Sequence, residues 1–296
     1  MSEPKPQVTN ESFTVVPSLN GVGAEISGVD LTQAMSDAVF SGIRAAFFEY
    51  GVIYFRGQTL TVEDQISFSQ RFGELDKSSV LSQYLHPGHP EIFLVSNIVD
   101  KDGRHLGAYD AGRMWHFDLS YEAKPSMCSM LYALEIPHDD AGKALGDTQF
   151  ASMSRAYASL PDAVKQRLEG RKAVNTLAKR FARKEDVNIL SPEKSKLAEA
   201  THPAIRTHPA NGRKCIFVNE AHTDRILDLA REESDALLAT AWEACKNPAF
   251  RYRHSWRVGD AVMWDNCAVQ HLATFDYKLP QRRLLHRTTV VGATPY

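Results

Sequence analysis

Beyond residue 91 the chain is a succession of short strand-like runs. They are Ile92–Val95, Met127–Ile136, Ile205–His208, Lys214–Val218, Phe250–Trp256, Ala261–Trp264 and Leu284–Val291. Runs of this length that are rich in β-branched and aromatic residues and closed by turn signals are strands. Pro209-Ala210-Asn211-Gly212, lying between two of them, is a hairpin signal. So many short strands must pack sheet on sheet or close on themselves. Two further strands are expected at residues 22–30 (VGAEISGVD) and 52–56 (VIYFR).

Helices decorate this β pattern. Ser36–Tyr50 carries apolar residues at helical spacing and is followed by Gly51, where a cap would sit. Thr61 and Asp64 form a capping-box pattern for a helix running to Phe72. Ser152–Leu168 and Glu232–Lys246 also read as helical. The expected class is mainly β with helices, a double-stranded β-helix (jelly roll) core flanked by α-helices. With no internal repeat or low-complexity linker, residues 1–296 are read as a single domain, with 1–11 a polar tail. Segments 76–113, most polar at Asp76–Pro90, and 175–201 resist assignment and are candidate lids.

Composition narrows the function by exclusion. The formal net charge of −2 offers no basic excess to recruit nucleic acid. No apolar stretch is long enough to span a bilayer. Met1–Glu11 has no apolar core of the kind a secretory signal needs, so a cytoplasmic location is expected. Cys128, Cys215, Cys245 and Cys267 contain no C-x-x-C pair and are expected to be reduced, buried small hydrophobes.

The chemistry is concentrated in Trp115-His116-Phe117-Asp118. If this segment is a strand, His116 and Asp118 share a face and reach one ion. His271, downstream of Met263-Trp264-Asp265-Asn266, is a candidate third ligand. Two histidines and one carboxylate with open positions form the facial site of non-haem Fe(II) oxygenases. A hydrolytic zinc site would also need a positioned general base. The remaining histidines, His86, His89, His105, His138, His202, His208, His222 and His254, are expected to be structural or exposed. His286 is a candidate neighbour of the site, with a structural role preferred.

In Gln281-Arg282-Arg283-Leu284-Leu285-His286-Arg287, Arg283 and Arg287 are four apart and would face the same way in a strand. An inward arginine is costly unless it meets an anion, and a dicarboxylate supplies one. Taken alone, the segment would read as an exposed basic edge.

With these residues in place, the chain resembles the taurine dioxygenase / 2,4-D dioxygenase (TauD/TfdA) family of Fe(II)/2-oxoglutarate enzymes. The resemblance runs from Gly23-Ala24-Glu25-Ile26-Ser27-Gly28-Val29-Asp30 to the final strand. It includes Phe55-Arg56-Gly57-Gln58, Phe68 to Gly73, Trp115–Asp118, Gly146-Asp147-Thr148 and Trp264-Asp265-Asn266. It implies that His116, Asp118 and His271 bind Fe(II), with 2-oxoglutarate and O2 as co-substrates. It further implies that Thr148 and Arg283 hold the distal carboxylate of 2-oxoglutarate. Arg287 would meet the acidic group of the primary substrate or lie beside the co-substrate, and Arg282 is a competitor for the anchoring role.

The reaction implied is hydroxylation of a C–H bond in a small organic acid, of sulfonate, sulfate ester or aryloxyalkanoate type. The alternatives are desaturation, epoxidation or decarboxylation of an amino-acid-derived substrate, or a non-catalytic 2-oxoglutarate- and metal-binding protein. Asp118 argues against a halogenase, whose metal needs that ligand place for halide. Family analogy also implies a homo-oligomer.

The substrate region departs from the taurine enzyme. Lys77-Ser78-Ser79-Val80-Leu81 stands where a histidine and a tyrosine are expected, and Gly112 lies near an expected asparagine. Taurine itself is therefore not the expected substrate. Val95-Ser96-Asn97-Ile98 and Arg251–Trp256 resemble the aryloxyalkanoate branch. Lys77, Arg104 and Arg113 are extra cations, as easily surface charge as substrate contacts. Pro137–Leu145 forms a longer loop before Gly146 than the family usually has.

Overall fold

The structure, a computed structural model, describes residues 8–10, 13–77, 82–181 and 198–296. Strands β1 (Val8–Asn10), β2 (Phe13–Pro17) and β3 (Ala24–Ser27) precede helix α1 (Asp37–Tyr50), β4 (Val52–Phe55) and α2 (Val62–Gln70). β5 (Leu85–His86), β6 (His89–Ser96) and β7 (Ser126–Glu135) follow. β8 (Thr148–Ser152) then runs into α3 (Met153–Ser159) and α4 (Asp162–Leu168). Next come β9 (Lys172–Thr176), α5 (Leu177–Phe181), β10 (Glu199–Pro203), β11 (Ile205–Thr207), β12 (Lys214–Ile216) and β13 (Thr223–Ile226). The chain finishes with α6 (Arg231–Cys245), β14 (Arg251–His254), β15 (Ala261–Asp265), β16 (Val269–Ala273) and β17 (Leu284–Val291).

The main sheet has nine strands in the order β1-β2-β3-β4-β15-β7-β17-β6-β5, antiparallel except where β3 meets β4. A three-stranded sheet, β14-β8-β16, faces it. Between them lies a core of Val52, Leu131, Ala133, Val262, Trp264 and Leu285 from the large sheet and Phe150 and Val269 from the small one. The fold is therefore sheet-rich, as expected. Helices α1 and α2 cover the other side of the large sheet through Ile43, Phe47 and Phe68. A third cluster packs α3 and α6 against β12 and Phe217.

Local chemistry explains the helix ends. Ser36 accepts from the Val39 amide at the start of α1, and Gly51 closes it in the left-handed conformation at φ 71°. At α2 the capping box forms in both directions. Thr61 Oγ1 accepts from the Asp64 amide at 3.1 Å, and the Asp64 carboxylate accepts from the Thr61 amide at 2.9 Å.

Several expectations need correction. The helix expected over Ser152–Leu168 is broken at Leu160, which is extended at ψ 144°. Pro161 forces that break, because its ring crowds a preceding helical residue. Strands β8 and β16 were not foreseen. Their inward positions hold Thr148 and His271 as well as Phe150 and Val269, so the apolar alternation that marks a strand is lost. Trp115–Asp118 is not a strand; only the single bridge His116↔His271 forms there. Segment 76–113 is partly regular, since β5 and β6 form a hairpin on the edge of the large sheet. Residues 78–81 of this segment, and 182–197 of the other lid candidate, lie outside the described residues, as does most of the tail at 1–11.

Candidate functional site

His271 of β16 and His116 are joined by two backbone bonds. His116 N donates to His271 O at 3.2 Å, and His271 N donates to His116 O at 3.0 Å. This bridge sets the two imidazoles side by side, with ring centroids 4.0 Å apart. Asp118 then enters from a turn, completed by Leu119 at φ 55°. The Nε2 atoms of His116 and His271 each lie 3.7 Å from Asp118 Oδ1. That is too long for a hydrogen bond. Donor atoms of all three residues lie within 4.8 Å of one another, a spacing one ion would span.

The protonation of the group suits a cation. His116 Nδ1 lies 2.8 Å from Met114 O, so Nδ1 carries the proton and Nε2 offers its lone pair to the site. For Asp118, burial raises the pKa, but Arg287, His271 and His116, with a hydrogen bond from Ser129, outweigh it and hold the carboxyl well below its usual range. His271 is held well below the ordinary histidine value by burial and by His116, so it is a neutral ligand. Two imidazoles and one carboxylate, all 5–8% exposed, make a donor set that fits a divalent transition metal.

The space beside this trio is lined by Val95, Ala111, Leu131, Thr148, Arg283 and Arg287, among others. Thr148 begins β8, and its Oγ1 accepts from Trp256 Nε1 at 3.0 Å, so the hydroxyl proton is left to point into the space. Arg283 is 3% exposed, and its Nε has no partner. Burial draws its pKa down, offset only in part by Tyr277, Asp276 and Asp147. A buried cation with an unsatisfied donor calls for an anion. Gly146 makes room for the Arg283 side chain: a Cβ there would stand 2.9 Å from Arg283 Nε. Gly146 is in turn held by Asp276, whose carboxylate accepts its amide proton at 2.7 Å.

Of the three neighbouring arginines, Arg282 turns outward to Glu135 at 2.9 Å and takes no part in the site. Arg287 lies over the Phe93 ring at 4.6 Å and reaches Asp118 Oδ1 at 3.3 Å. His286 points to the other face, near His86, and is structural. Of the extra cations, Lys77 pairs with Glu91, while Arg113 stacks on Phe275 beside His116. A side chain at Gly112 would be strained, because its φ is 89° and a Cβ would crowd Ala273 at 3.3 Å and His116 at 3.4 Å. The longer loop before Gly146 forms a small turn of its own, bridged at His138↔Ala144.

Among the described residues one more group has ligand spacing, namely His208, Asp265 and Cys267. It is already satisfied internally. His208 Nε2 donates to Asp265 at 2.7 Å, and the Cys267 amide donates to the other carboxylate oxygen at 2.8 Å. All four cysteines are free and buried, as expected. Sequence reasoning missed Trp256, Ser129 and the part played by Asn266. Asn266, inside Trp264-Asp265-Asn266, and Trp256, at the end of Arg251–Trp256, lie in noted markers, while Ser129 carries no signal of its own.

The family model for taurine catabolism dioxygenase TauD, TfdA family matches residues 14–289. The chain is 32% identical over 277 residues to the alpha-ketoglutarate-dependent 2,4-dichlorophenoxyacetate dioxygenase of Burkholderia sp. (strain RASC), covering 90% of this chain and 91% of that one. It is 30% identical over 297 residues to the pentalenolactone F synthase of Streptomyces avermitilis, covering 96% and 95%. A crystal structure of a taurine dioxygenase from Burkholderia xenovorans superposes with a TM-score of 0.79 at 31% identity, covering 96% of this chain and 91% of that one.

Proposed function

Because this chain belongs to the TauD/TfdA family of dioxygenases, we propose that His116, Asp118 and His271 hold its Fe(II), and that Thr148 and Arg283 hold its 2-oxoglutarate. The protein is a 2-oxoglutarate-dependent non-haem iron dioxygenase that hydroxylates a C–H bond of a small organic acid. The observation that carries the residue assignment is one shared space. His116, His271, Thr148 and Arg283 all line it, Arg283 Nε has no partner there, and Asp118 Oδ1 lies 3.7 Å from Nε2 of both imidazoles.

Bound there, Fe(II) supplies activation of O2: 2-oxoglutarate is converted to succinate and CO2, and the second oxygen atom enters the substrate C–H bond. The chain's own residues do the rest. Arg283 neutralises the distal carboxylate of 2-oxoglutarate in a low-dielectric setting, where a charge-assisted bond is strongest. Thr148, oriented by Trp256, donates to the same group. Arg287, backed by Phe93, takes the acidic end of the substrate. Val95, Ala111 and Leu131 offer its carbon skeleton an apolar wall and exclude water.

The substrate class we infer is a sulfonate, sulfate ester or aryloxyalkanoate acid. The relative named for 2,4-dichlorophenoxyacetate supports the last of these. The two facing sheets, with their shared core, support a double-stranded β-helix, and the matching of residues 14–289 to one family supports one domain. In this reading the stretch 97–113, which contributes Ala111 and Gly112 to the space, acts as a lid. A cytoplasmic homo-oligomer is the assembly we infer by family analogy.

Anaerobic optical titration with Fe(II) and then 2-oxoglutarate tests the site. A visible charge-transfer band that needs both, and is absent in His271→Ala, is the expected result. No band with the wild type overturns the assignment. Succinate release stimulated by one member of a panel of acids then identifies the substrate class.

A further inference from the structure

The two carboxylate oxygens of Asp118 have different surroundings. Oδ1 faces the imidazoles and Arg287. Oδ2 faces away from them and accepts from Ser129 Oγ at 2.7 Å and from Asn266 Nδ2 at 3.4 Å. Ser129 is fully buried and Asn266 is 1% exposed, so water does not compete for these bonds.

The direction of every bond follows from its neighbours. Asn266 Oδ1 receives two donors, the Asp118 amide at 3.2 Å and Trp264 Nε1 at 3.1 Å. Its Nδ2 must therefore be the end that meets Ser126 Oγ at 3.0 Å, Ser129 Oγ at 3.2 Å and Asp118 Oδ2. The Ser129 oxygen accepts from that amide, so its single proton goes to Asp118. The turn carrying Asn266 is pinned as well. His208 and the Cys267 amide hold the two oxygens of Asp265, and the Ala210 amide donates to His208 Nδ1 at 3.2 Å, which fixes the histidine tautomer.

We propose that Ser129 and Asn266 are positioning residues that occupy Oδ2 and keep Asp118 a ligand through Oδ1 alone. This rests on the reading of His116, Asp118 and His271 as the metal site. A carboxylate that can turn offers either oxygen or both, and binding through both fills a coordination place that the chelating co-substrate and O2 require. A donated hydrogen bond on Oδ2 lowers its appetite for a cation and leaves Oδ1 the better donor. Losing a group that orients a ligand in this way typically costs roughly 10- to 100-fold in metal affinity.

Anaerobic titration of the full chain with Co(II) tests this, read by dissociation constant and by the shape of the d–d absorption band. Ser129→Ala is expected to weaken Co(II) binding roughly 10- to 100-fold, and to change the band as Oδ2 becomes a second donor. Asn266→Ala gives the same two readouts from the other donor, so the test stands if either variant folds. Ser69→Ala removes an equally buried hydroxyl that bonds Thr288 at 2.6 Å and does not touch Asp118; it should match the wild type in both readouts. If Ser129→Ala and Asn266→Ala bind Co(II) with wild-type affinity and band while Asp118→Ala binds none, the positioning role is overturned and the metal site stands. Failure of the wild type to bind Co(II) overturns both.

Discussion

At the scale of single residues the site is a set of charges and donors held in deficit. Asp118 carries a negative charge between two imidazoles, and its removal takes away the one anionic ligand. Asp118→Ala should abolish coupled turnover and metal binding together; full retained activity would remove the residue from the site. Arg283 is the complementary case, a buried cation with an idle Nε. Arg283→Ala should weaken 2-oxoglutarate binding by about 2–5 kcal/mol, the range for truncating one side of a buried charge pair. Calorimetry on the Mn(II) form measures it. Arg282→Ala is the internal control, since its half-exposed pair with Glu135 contributes at most about 1 kcal/mol. Equal losses from both variants would show that the anchor is misassigned.

At the scale of elements, each strand or helix delivers its residues through its own local rules. The capping box at Thr61 holds α2 against the large sheet, where Gln65 reaches the backbone of β17 at His286 O, 3.1 Å away. Thr61→Ala should cost about 1 kcal/mol of stability with little effect on turnover, seen as a shifted urea midpoint at constant slope. A changed slope would mean that α2 had detached rather than frayed. The helices and most long strands were legible because their periodicity or caps are local. β8 and β16 were not. Their faces toward the large sheet carry Thr148 and His271, and Gln270 is buried on the other face of β16, so polar residues erase the alternation that marks a strand. The segment holding His116 and Asp118 was read as a strand for the opposite reason, since an i, i+2 pair has the right spacing. Yet the ligands converge through one bridge and a turn.

At the scale of the whole molecule, buried histidines couple the fold to pH. Burial and the nearby His86 push the His286 pKa down to about 4. His202 and His254 are lowered as well, chiefly by burial. A histidine depressed in the folded state keeps its full contribution above its unfolded pKa of about 6.5. The contribution is lost as pH falls from there toward 4, because the unfolded chain takes up the proton first. His286 alone should account for on the order of 1–2 kcal/mol of that loss after allowing for its partial exposure. Denaturant titrations between pH 7 and pH 4 should show stability falling, and His286→Phe should flatten the slope; an unchanged slope would mean that His286 titrates normally. The sequence by itself determined the chemistry available: which residues can ligate, where the helix caps and most of the long strands form, and which family pattern the markers follow. These depend on neighbours within a few positions or on order along the chain. Only the tertiary structure decided that Arg283 rather than Arg282 faces the pocket, that Trp256 orients Thr148, and that Ser129 and Asn266 hold Asp118. Those partners are brought together by the packing of two sheets, and no local pattern records which side chain will stand opposite which.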